Sequence, residues 1–138
     1  MTDLTAAPAH PTAPTIHPTV RTWLRVEGFA AFLTGLAIYG INGGPWLFVI
    51  PFLLVPDVSM VGYLRDARLG AFTYNLVHNW AIGLATLGLG AWTGLDWVLL
   101  VGAILVAHVG IDRVAGYGLK LPSAFQDTHL GRIGRASR

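Results

Sequence analysis

The chain has 138 residues, of which 54% are hydrophobic and only 12% are charged, and its mean hydropathy is +0.58. Because soluble domains carry about 25% charged residues, this composition excludes an ordinary soluble domain and predicts a protein of the lipid bilayer. Nine basic and seven acidic residues give a net charge of +2, which is too small to indicate nucleic-acid binding. The absence of cysteine excludes disulfides, thiolate metal sites and thiol nucleophiles.

Residues 1–20 are predicted to form a disordered N-terminal tail. Four prolines occur there, at positions 8, 11, 14 and 18, among threonine, alanine and histidine. A segment of this composition cannot bury enough apolar surface to offset the entropy that it loses on ordering.

Residues 21–115 are predicted to form a bundle of four transmembrane helices, so the expected fold class is an all-α polytopic membrane protein. The first two spans, at 24–41 and 46–64, are joined by an Asn-Gly-Gly-Pro turn at 42–45. Pro51 and Pro56 are expected to kink or break the second span, because proline removes a backbone hydrogen bond. The third span, at 69–95, is free of Asp, Glu, Lys and Arg and long enough to cross about 30 Å of hydrocarbon, and the fourth follows at 97–114.

The basic residues predict the orientation of this bundle. All nine fall on one side of the membrane if the N-terminus is cytoplasmic, whereas the two outer turns hold only Asp96. This segregation predicts a multi-pass protein of a bacterial inner membrane with its N- and C-termini in the cytoplasm. Membrane lipids are the expected partners, and a homo-oligomer is left open.

Two stripes of small residues predict where helices pack. They are Gly28, Ala31 and Gly35 on the first span and Ala103, Ala107 and Gly110 on the fourth. Small side chains at three- and four-residue spacing let helix backbones approach closely in lipid.

Ionisable residues inside membrane spans are energetically costly, so each one is a candidate functional residue. They fall in the predicted cytoplasmic half of the bundle: Glu27, Asp57, His78, His108 and Asp112. His108 and Asp112 share one helix face because they are four residues apart, and Tyr74, Asn75 and His78 share another.

Imidazole and carboxylate groups from separate spans predict a site for a divalent metal ion such as zinc, with Asp57, His78, His108 and Asp112 as candidate ligands. Such an ion lowers the pKa of a bound water to near 7, and Glu27 or Asp57 is the candidate base of a hydrolytic reaction. The candidate supporting polar residues are Tyr74, Asn75, Arg113 and His129.

The same residues have structural interpretations. His78 and His108 could form hydrogen bonds between helices. Asp112 could pair with the neighbouring Arg113 at the membrane boundary, and Asp57 could be an N-cap that restarts a helix after Pro56.

Residues 116–138 are predicted to form a cytoplasmic C-terminal segment. Ser123 and Gln126 have the spacing of a capping box, which predicts a short helix at 124–130 that ends at Gly131. This helix carries Asp127 and His129, and it either folds back under the bundle or lies on the lipid headgroups.

Four groups of residues resemble a known family. They are 57–64 (Asp-Val-Ser-Met-Val-Gly-Tyr-Leu), 74–78 (Tyr-Asn-Leu-Val-His), 108–113 (His-Val-Gly-Ile-Asp-Arg), and 116–120 (Gly-Tyr-Gly-Leu-Lys) with Phe125, Thr128, His129 and Leu130. Together they resemble the bacterial membrane family called domain of unknown function 4260, over roughly residues 26–134. The resemblance implies no activity, but its shared positions include Asp57, Tyr74, Asn75, His78, His108, Asp112, Arg113 and His129. The chain is also loosely similar to small membrane-bound metal-dependent hydrolases, although their His-Arg-Gly and Thr-His-Ser motifs are absent.

Three functions follow as alternatives. The first is a metal-dependent membrane hydrolase that acts on a lipid or another small molecule. The second is a structural or accessory membrane subunit whose polar cluster locks the bundle. The third is a small proton-coupled transporter in which His78 and His108 relay protons. The sequence does not decide whether the protein is an enzyme.

Overall fold

The computed structural model describes residues 16–134, and its first helix, α1, is Pro18–Ile41. Pro18 takes the first helical turn, where its missing N–H costs no hydrogen bond, and the Thr19 N–H donates to the His17 side chain. Residues 18–20 are therefore helical, and the predicted disordered tail was too long by these residues. The remainder of that prediction, at residues 1–15, lies outside the described residues.

The second apolar segment is divided by its prolines, as the sequence predicts. After the turn at 42–45 it forms a short 3-10 turn at Trp46–Phe48, helix α2 at Val49–Leu54 and a 3-10 helix at Val55–Leu64. Helix α2 ends two residues before Pro56, which has no N–H to continue it. A 3-10 helix of ten residues is unusually long, and such stretches frequently mark a functional or strained region.

The expected third span is not one helix. Helix α3 is Ala67–Val77 and helix α4 is Trp80–Thr93, so the prediction of a continuous helix over 69–95 is wrong. Asn79 explains the break. Its side chain donates to the carbonyls of Asn75 and Leu76 at the end of α3, and it accepts from the Ile82 N–H at the start of α4.

Helix α5, Asp96–Ala115, is the centre of the bundle. In α5, 56% of the most apolar 18-residue window is buried, against 17% in α1. The predicted small-residue stripes of the two helices meet: a Cβ at Gly35 would lie 2.6 Å from the Ala103 carbonyl, and one at Gly28 would lie 2.8 Å from the Gly110 carbonyl. The predicted close approach of helices at these small residues is therefore confirmed, and the structure shows that the two stripes pack against each other.

The C-terminal segment folds back onto the bundle, but it is not helical. It contains a small hairpin of β1, Asp127–Thr128, and β2, Gly131–Arg132. The Thr128 hydroxyl closes the turn by donating to the Gly131 carbonyl and accepting from the Leu130 N–H. Ser123 does not cap a helix, because its hydroxyl donates to the Asp127 carboxylate instead. The predicted helix at 124–130 is therefore wrong.

Three helical segments of the described chain are long and apolar enough to cross a membrane: Pro18–Ile41, Trp46–Leu64 and Asp96–Ala115. The predicted third span corresponds to the two shorter helices α3 and α4. Several contacts join the expected cytoplasmic ends of these elements, since Arg21 donates to the Leu130 carbonyl and the Tyr63 ring packs against Phe125.

Replacing Gly35 with alanine should destabilise the bundle by about 1–3 kcal/mol, because the added methyl group would overlap the backbone of α5. Gly88→Ala is the matched control, since a Cβ at Gly88 meets nothing within 4 Å and alanine favours a helix by about 1 kcal/mol. Unfolding in SDS, followed by circular dichroism, measures both. Equal stabilities of the two variants would contradict the close packing of α1 and α5.

Candidate metal centre

Four predicted ligands converge on one point inside the bundle. The Nε2 atom of His78 lies 3.4 Å from Asp57 Oδ1 and 4.0 Å from Asp112 Oδ2. The Nε2 atom of His108 lies 3.7 Å from Asp57 Oδ1 and 3.8 Å from Asp112 Oδ2. The 3-10 helix supplies Asp57, the α3–α4 junction supplies His78, and α5 supplies the other two. We call these four residues the His/Asp centre.

A backbone carbonyl from the proline-broken segment orients His108. Its Nδ1–H donates to the Leu53 carbonyl over 2.6 Å. In an i to i+3 pattern this carbonyl would pair with the N–H of residue 56, but residue 56 is proline and has none. Pro56 thus leaves the Leu53 carbonyl free for the histidine, and the Nε2 atom of His108 points into the centre.

His78 is oriented in the same way at the end of α3. Its Nδ1–H donates to the Tyr74 carbonyl over 2.9 Å, and its ring stacks on the Tyr74 ring at 3.6 Å between centroids. The Arg113 guanidinium donates to the His78 carbonyl, which ties this junction to α5. The side chain of His78 is fully buried.

The two carboxylates have different surroundings. The Tyr74 hydroxyl donates to Asp112 Oδ2 over 2.7 Å, and the Asp112 side chain is 14% exposed. The Asp57 side chain is 36% exposed, and within the described residues its hydrogen-bonding contact is with His78 alone. Asp112 is therefore fixed by its neighbours, whereas Asp57 is the more accessible carboxylate.

The geometry of the centre fits a divalent metal ion. Bonds of about 2.0–2.2 Å place neighbouring ligand atoms roughly 3–3.6 Å apart, and the observed separations of 3.4–4.0 Å come within a few tenths of an ångström of this range. Asp57, His78 and His108 each offer a ligand atom within 4.8 Å of the others. The Nε2 atom of His108 is buried and has no hydrogen-bond partner among the described residues, which is costly unless a ligand satisfies it.

A cavity of about 280 Å³ adjoins the centre, and both carboxylates line it. Its other walls include Tyr117, Lys120 and Phe125 from the C-terminal segment. Asn75 holds this segment in place by bonding both the N–H and the carbonyl of Lys120. The C-terminal segment thus folds back and covers the centre. It does so with loops and a hairpin and not with the predicted helix.

Lys120 brings a positive charge to this cavity. Burial lowers the pKa of its ammonium group, while the charge of Asp112 favours the protonated form. The ammonium group donates to the Phe125 carbonyl and lies 3.9 Å from the centroid of the Phe125 ring. Lys120 was not among the residues singled out by sequence, because a lysine in a glycine-rich segment resembles any surface charge.

Two predicted site residues lie outside the centre. Glu27 is exposed on α1, and no ion pair or metal-type cluster of the described residues includes it. His129 is also exposed, and its ring accepts a hydrogen bond from the Leu119 N–H. Arg113 does not form the alternative ion pair with Asp112, since among the described residues its guanidinium donates to the carbonyls of Tyr117 and His78.

Asn79 and Leu53 position the centre, and the sequence reasoning missed both. Asparagine is a favoured N-cap, so Asn79 before a new apolar run was a signal for the helix break that exposes the end of α3. Leu53 acts through its backbone carbonyl, and the indirect signal for it was Pro56 three residues later.

A protein-family model matches residues 21–133, and it is described as Domain of unknown function (DUF4260). The chain belongs to this family. The match covers most of the DUF4260 chain, from the start of α1 to the C-terminal hairpin, and contains the whole His/Asp centre. The resemblance expected from the sequence is confirmed. Neither a curated protein nor a solved structure matches the DUF4260 chain.

Tyr74→Phe should weaken metal binding by about 10–100-fold, because it removes the hydrogen bond that orients Asp112. Tyr63→Phe is the matched control, since the Tyr63 hydroxyl is buried without a partner among the described residues. Competition for Zn²⁺ with a chromogenic chelator measures both affinities. An affinity of the Tyr74 variant equal to that of the Tyr63 variant would argue against Asp112 as a ligand.

Proposed function

We propose that this protein is a membrane-embedded hydrolase that uses one divalent metal ion, zinc, held at the His/Asp centre. The observation that carries the proposal is the orientation of the two histidines. A carbonyl oxygen only accepts hydrogen bonds, so the Nδ1 atom of each ring must be the donor to it. The Nε2 atoms of both rings then face two carboxylate oxygens, and a divalent metal ion bound among these atoms would satisfy all four groups.

The hydrogen bonds from the two histidines to backbone carbonyls support metal binding for a second reason. Histidine ligands of metals almost always donate their other ring N–H to a carbonyl, carboxylate or water, which fixes the tautomer. Hydrogen-bonded carboxylates are likewise typical ligands, and Asp112 is such a group because Tyr74 donates to it. We therefore assign His78, His108 and Asp112 as the ligands.

Asp57 is assigned as the general base. It is the most exposed of the four side chains, it lines the cavity, and it lies within reach of the point on which the ligands converge. Two histidines and one carboxylate leave a coordination position open, as in catalytic zinc sites. A zinc ion there supplies Lewis acidity and lowers the pKa of a coordinated water. With an ion held there, Asp57 would serve as the base that accepts a proton from the attacking water, and Lys120 would place a positive charge beside the substrate.

The membrane placement is part of the proposal. Helices α3 and α4 have 11 and 14 residues and together rise about 37 Å, enough for a fourth crossing of a core of about 30 Å. A break at membrane depth is tolerated where protein buries it, and Asn79 satisfies the backbone groups at this break. The segregation of the basic residues supports cytoplasmic termini in a bacterial inner membrane, with the centre opening toward the cytoplasm.

A structural metal site is the second candidate. Four side chains, not three, converge on the centre, and structural zinc sites are closed by four protein ligands. Such an ion would lock the 3-10 helix, the α3–α4 junction and α5 together. The cavity beside the two carboxylates favours the catalytic alternative, because a purely structural ion needs no adjoining space.

Purified wild-type protein should contain about one zinc ion per chain, and His78→Ala and His108→Ala should each lose most of it. Elemental analysis by mass spectrometry, which measures zinc, iron and manganese separately in one sample, provides the metal content. His129→Ala is the matched control and should keep its zinc, because His129 lies outside the centre. Metal-free wild-type protein would refute the proposal, and stoichiometric iron would refute the zinc hydrolase.

Asp57→Asn should retain zinc but hydrolyse p-nitrophenyl acetate at least about 100-fold more slowly than wild type, since a general base contributes 10²–10⁴-fold. Release of p-nitrophenol by the zinc-loaded protein gives the rate, and EDTA should abolish it. Asp96→Asn removes an exposed carboxylate at the other end of α5 and serves as the control. Equal rates in the two variants would favour the structural role of the metal.

A further inference from the structure

A second cavity, of about 410 Å³, lies beside the His/Asp centre and has an almost entirely apolar lining. Its walls come from the end of α1 and the following turn, from α2 with the start of the 3-10 helix, and from α5. Representative lining residues are Tyr39, Phe52, Pro56, Val101 and Ile104. A cavity of this size and character is typical of a site for a small, mostly hydrocarbon ligand.

The apolar cavity approaches the centre along two elements. Pro56 lines the cavity, and the next residue is Asp57. Ile104 also lines it and lies one helical turn, about 6 Å, before His108. Asp57 itself lines the polar cavity. The centre is therefore a wall of the polar cavity, and two of its residues are sequence or helical neighbours of residues that line the apolar one.

The surroundings of the apolar cavity indicate what can fill it. Its walls belong to the three segments that are long and apolar enough to cross a membrane and to the turn between two of them. Two lining residues, Trp97 and Val101, are 68% and 47% exposed, so the cavity opens on the side of the bundle. Water gains no hydrogen bonds in an apolar cavity, whereas a hydrocarbon chain enters it from a bilayer without loss of polar contacts.

We propose that the apolar cavity binds the acyl chain of a lipid substrate and thereby places the polar end of that lipid at the His/Asp centre. This assignment of substrate class rests on the proposed hydrolase. A chain of bulk lipid gains little by moving from the bilayer into the cavity. Selective binding therefore depends on the polar end of the same molecule, which the centre and Lys120 contact.

The test uses hexadecanoic acid, whose carboxylate and single chain match the two parts of the site. Zinc-loaded protein in phosphatidylcholine nanodiscs is mixed with the acid, and native mass spectrometry counts zinc and hexadecanoate on the same chain. We expect one hexadecanoate per chain. Val101→Trp, which fills the cavity, should lower its occupancy at least tenfold at the same concentration. Val101→Phe is a smaller change that should lower it less.

Val26→Trp is the matched control, because Val26 is 52% exposed on α1 and does not line the cavity. It should bind hexadecanoate as wild type does. Zinc content, read in the same spectra, shows that each variant is folded. Wild-type binding by both Val101 variants would overturn the proposal, and so would a zinc-loaded wild-type protein that binds no hexadecanoate.

The two proposals fail separately. Binding of hexadecanoate that depends on Val101 in a chain without zinc would leave the acyl site standing and remove the hydrolase. A zinc-loaded chain that cleaves p-nitrophenyl acetate but binds no hexadecanoate would support the hydrolase and contradict the acyl site. If native masses show a dimer that Val101→Trp dissociates, the cavity is an interface between two copies and the acyl assignment is wrong.

Discussion

The hydrogen bonds from the two histidine Nδ1 atoms to backbone carbonyls are the interactions on which the rest of the site depends. They fix the tautomer of His78 and His108, and they turn both Nε2 atoms toward the same pair of carboxylates. Without them each buried ring could rotate and satisfy itself elsewhere in the bundle. With them, two imidazole nitrogens and two carboxylates face one another in a largely buried space, and a divalent metal ion is one chemical group that would stabilise such a set.

Both carbonyl acceptors lie where a helix is irregular. In a regular helix each carbonyl already accepts a backbone N–H, so few are available to side chains. Pro56 leaves the Leu53 carbonyl without its local donor. The Tyr74 carbonyl, in the last turn of α3, accepts from both the backbone N–H and the Nδ1–H of His78. The helix breaks are costly in a membrane unless their polar groups are paired. Here Asn79 and His108 pair them, so the same irregularities that would weaken a span hold the centre together.

The C-terminal segment and the apolar helices give the centre two different neighbours. Asn75 anchors the segment through Lys120, and the segment forms the polar cavity over the carboxylates. The apolar helices form a second cavity, whose walls include Pro56, next to Asp57 in sequence, and Ile104, one helical turn before His108. An amphipathic ligand, with a hydrocarbon chain and a polar end, matches this arrangement better than a wholly polar or wholly apolar one.

The sequence was enough to predict that the protein is helical and apolar, where its turn and its small-residue contacts lie, and that Asp57, His78, His108 and Asp112 are candidate site residues. Hydrophobic length, glycine and proline positions and the cost of charge in lipid are local properties that a sequence states directly. The tertiary structure was needed to show that His78 ends a helix, that the C-terminal segment contains a hairpin, and that Glu27 and His129 lie apart from the His/Asp centre. These outcomes depend on which polar groups pair with each other. The Ser123 hydroxyl donates to Asp127 and does not cap a helix, and His108 bonds a backbone carbonyl 55 residues away. Every residue has a backbone carbonyl. The residue types in a sequence therefore do not show which carbonyl will orient a histidine side chain.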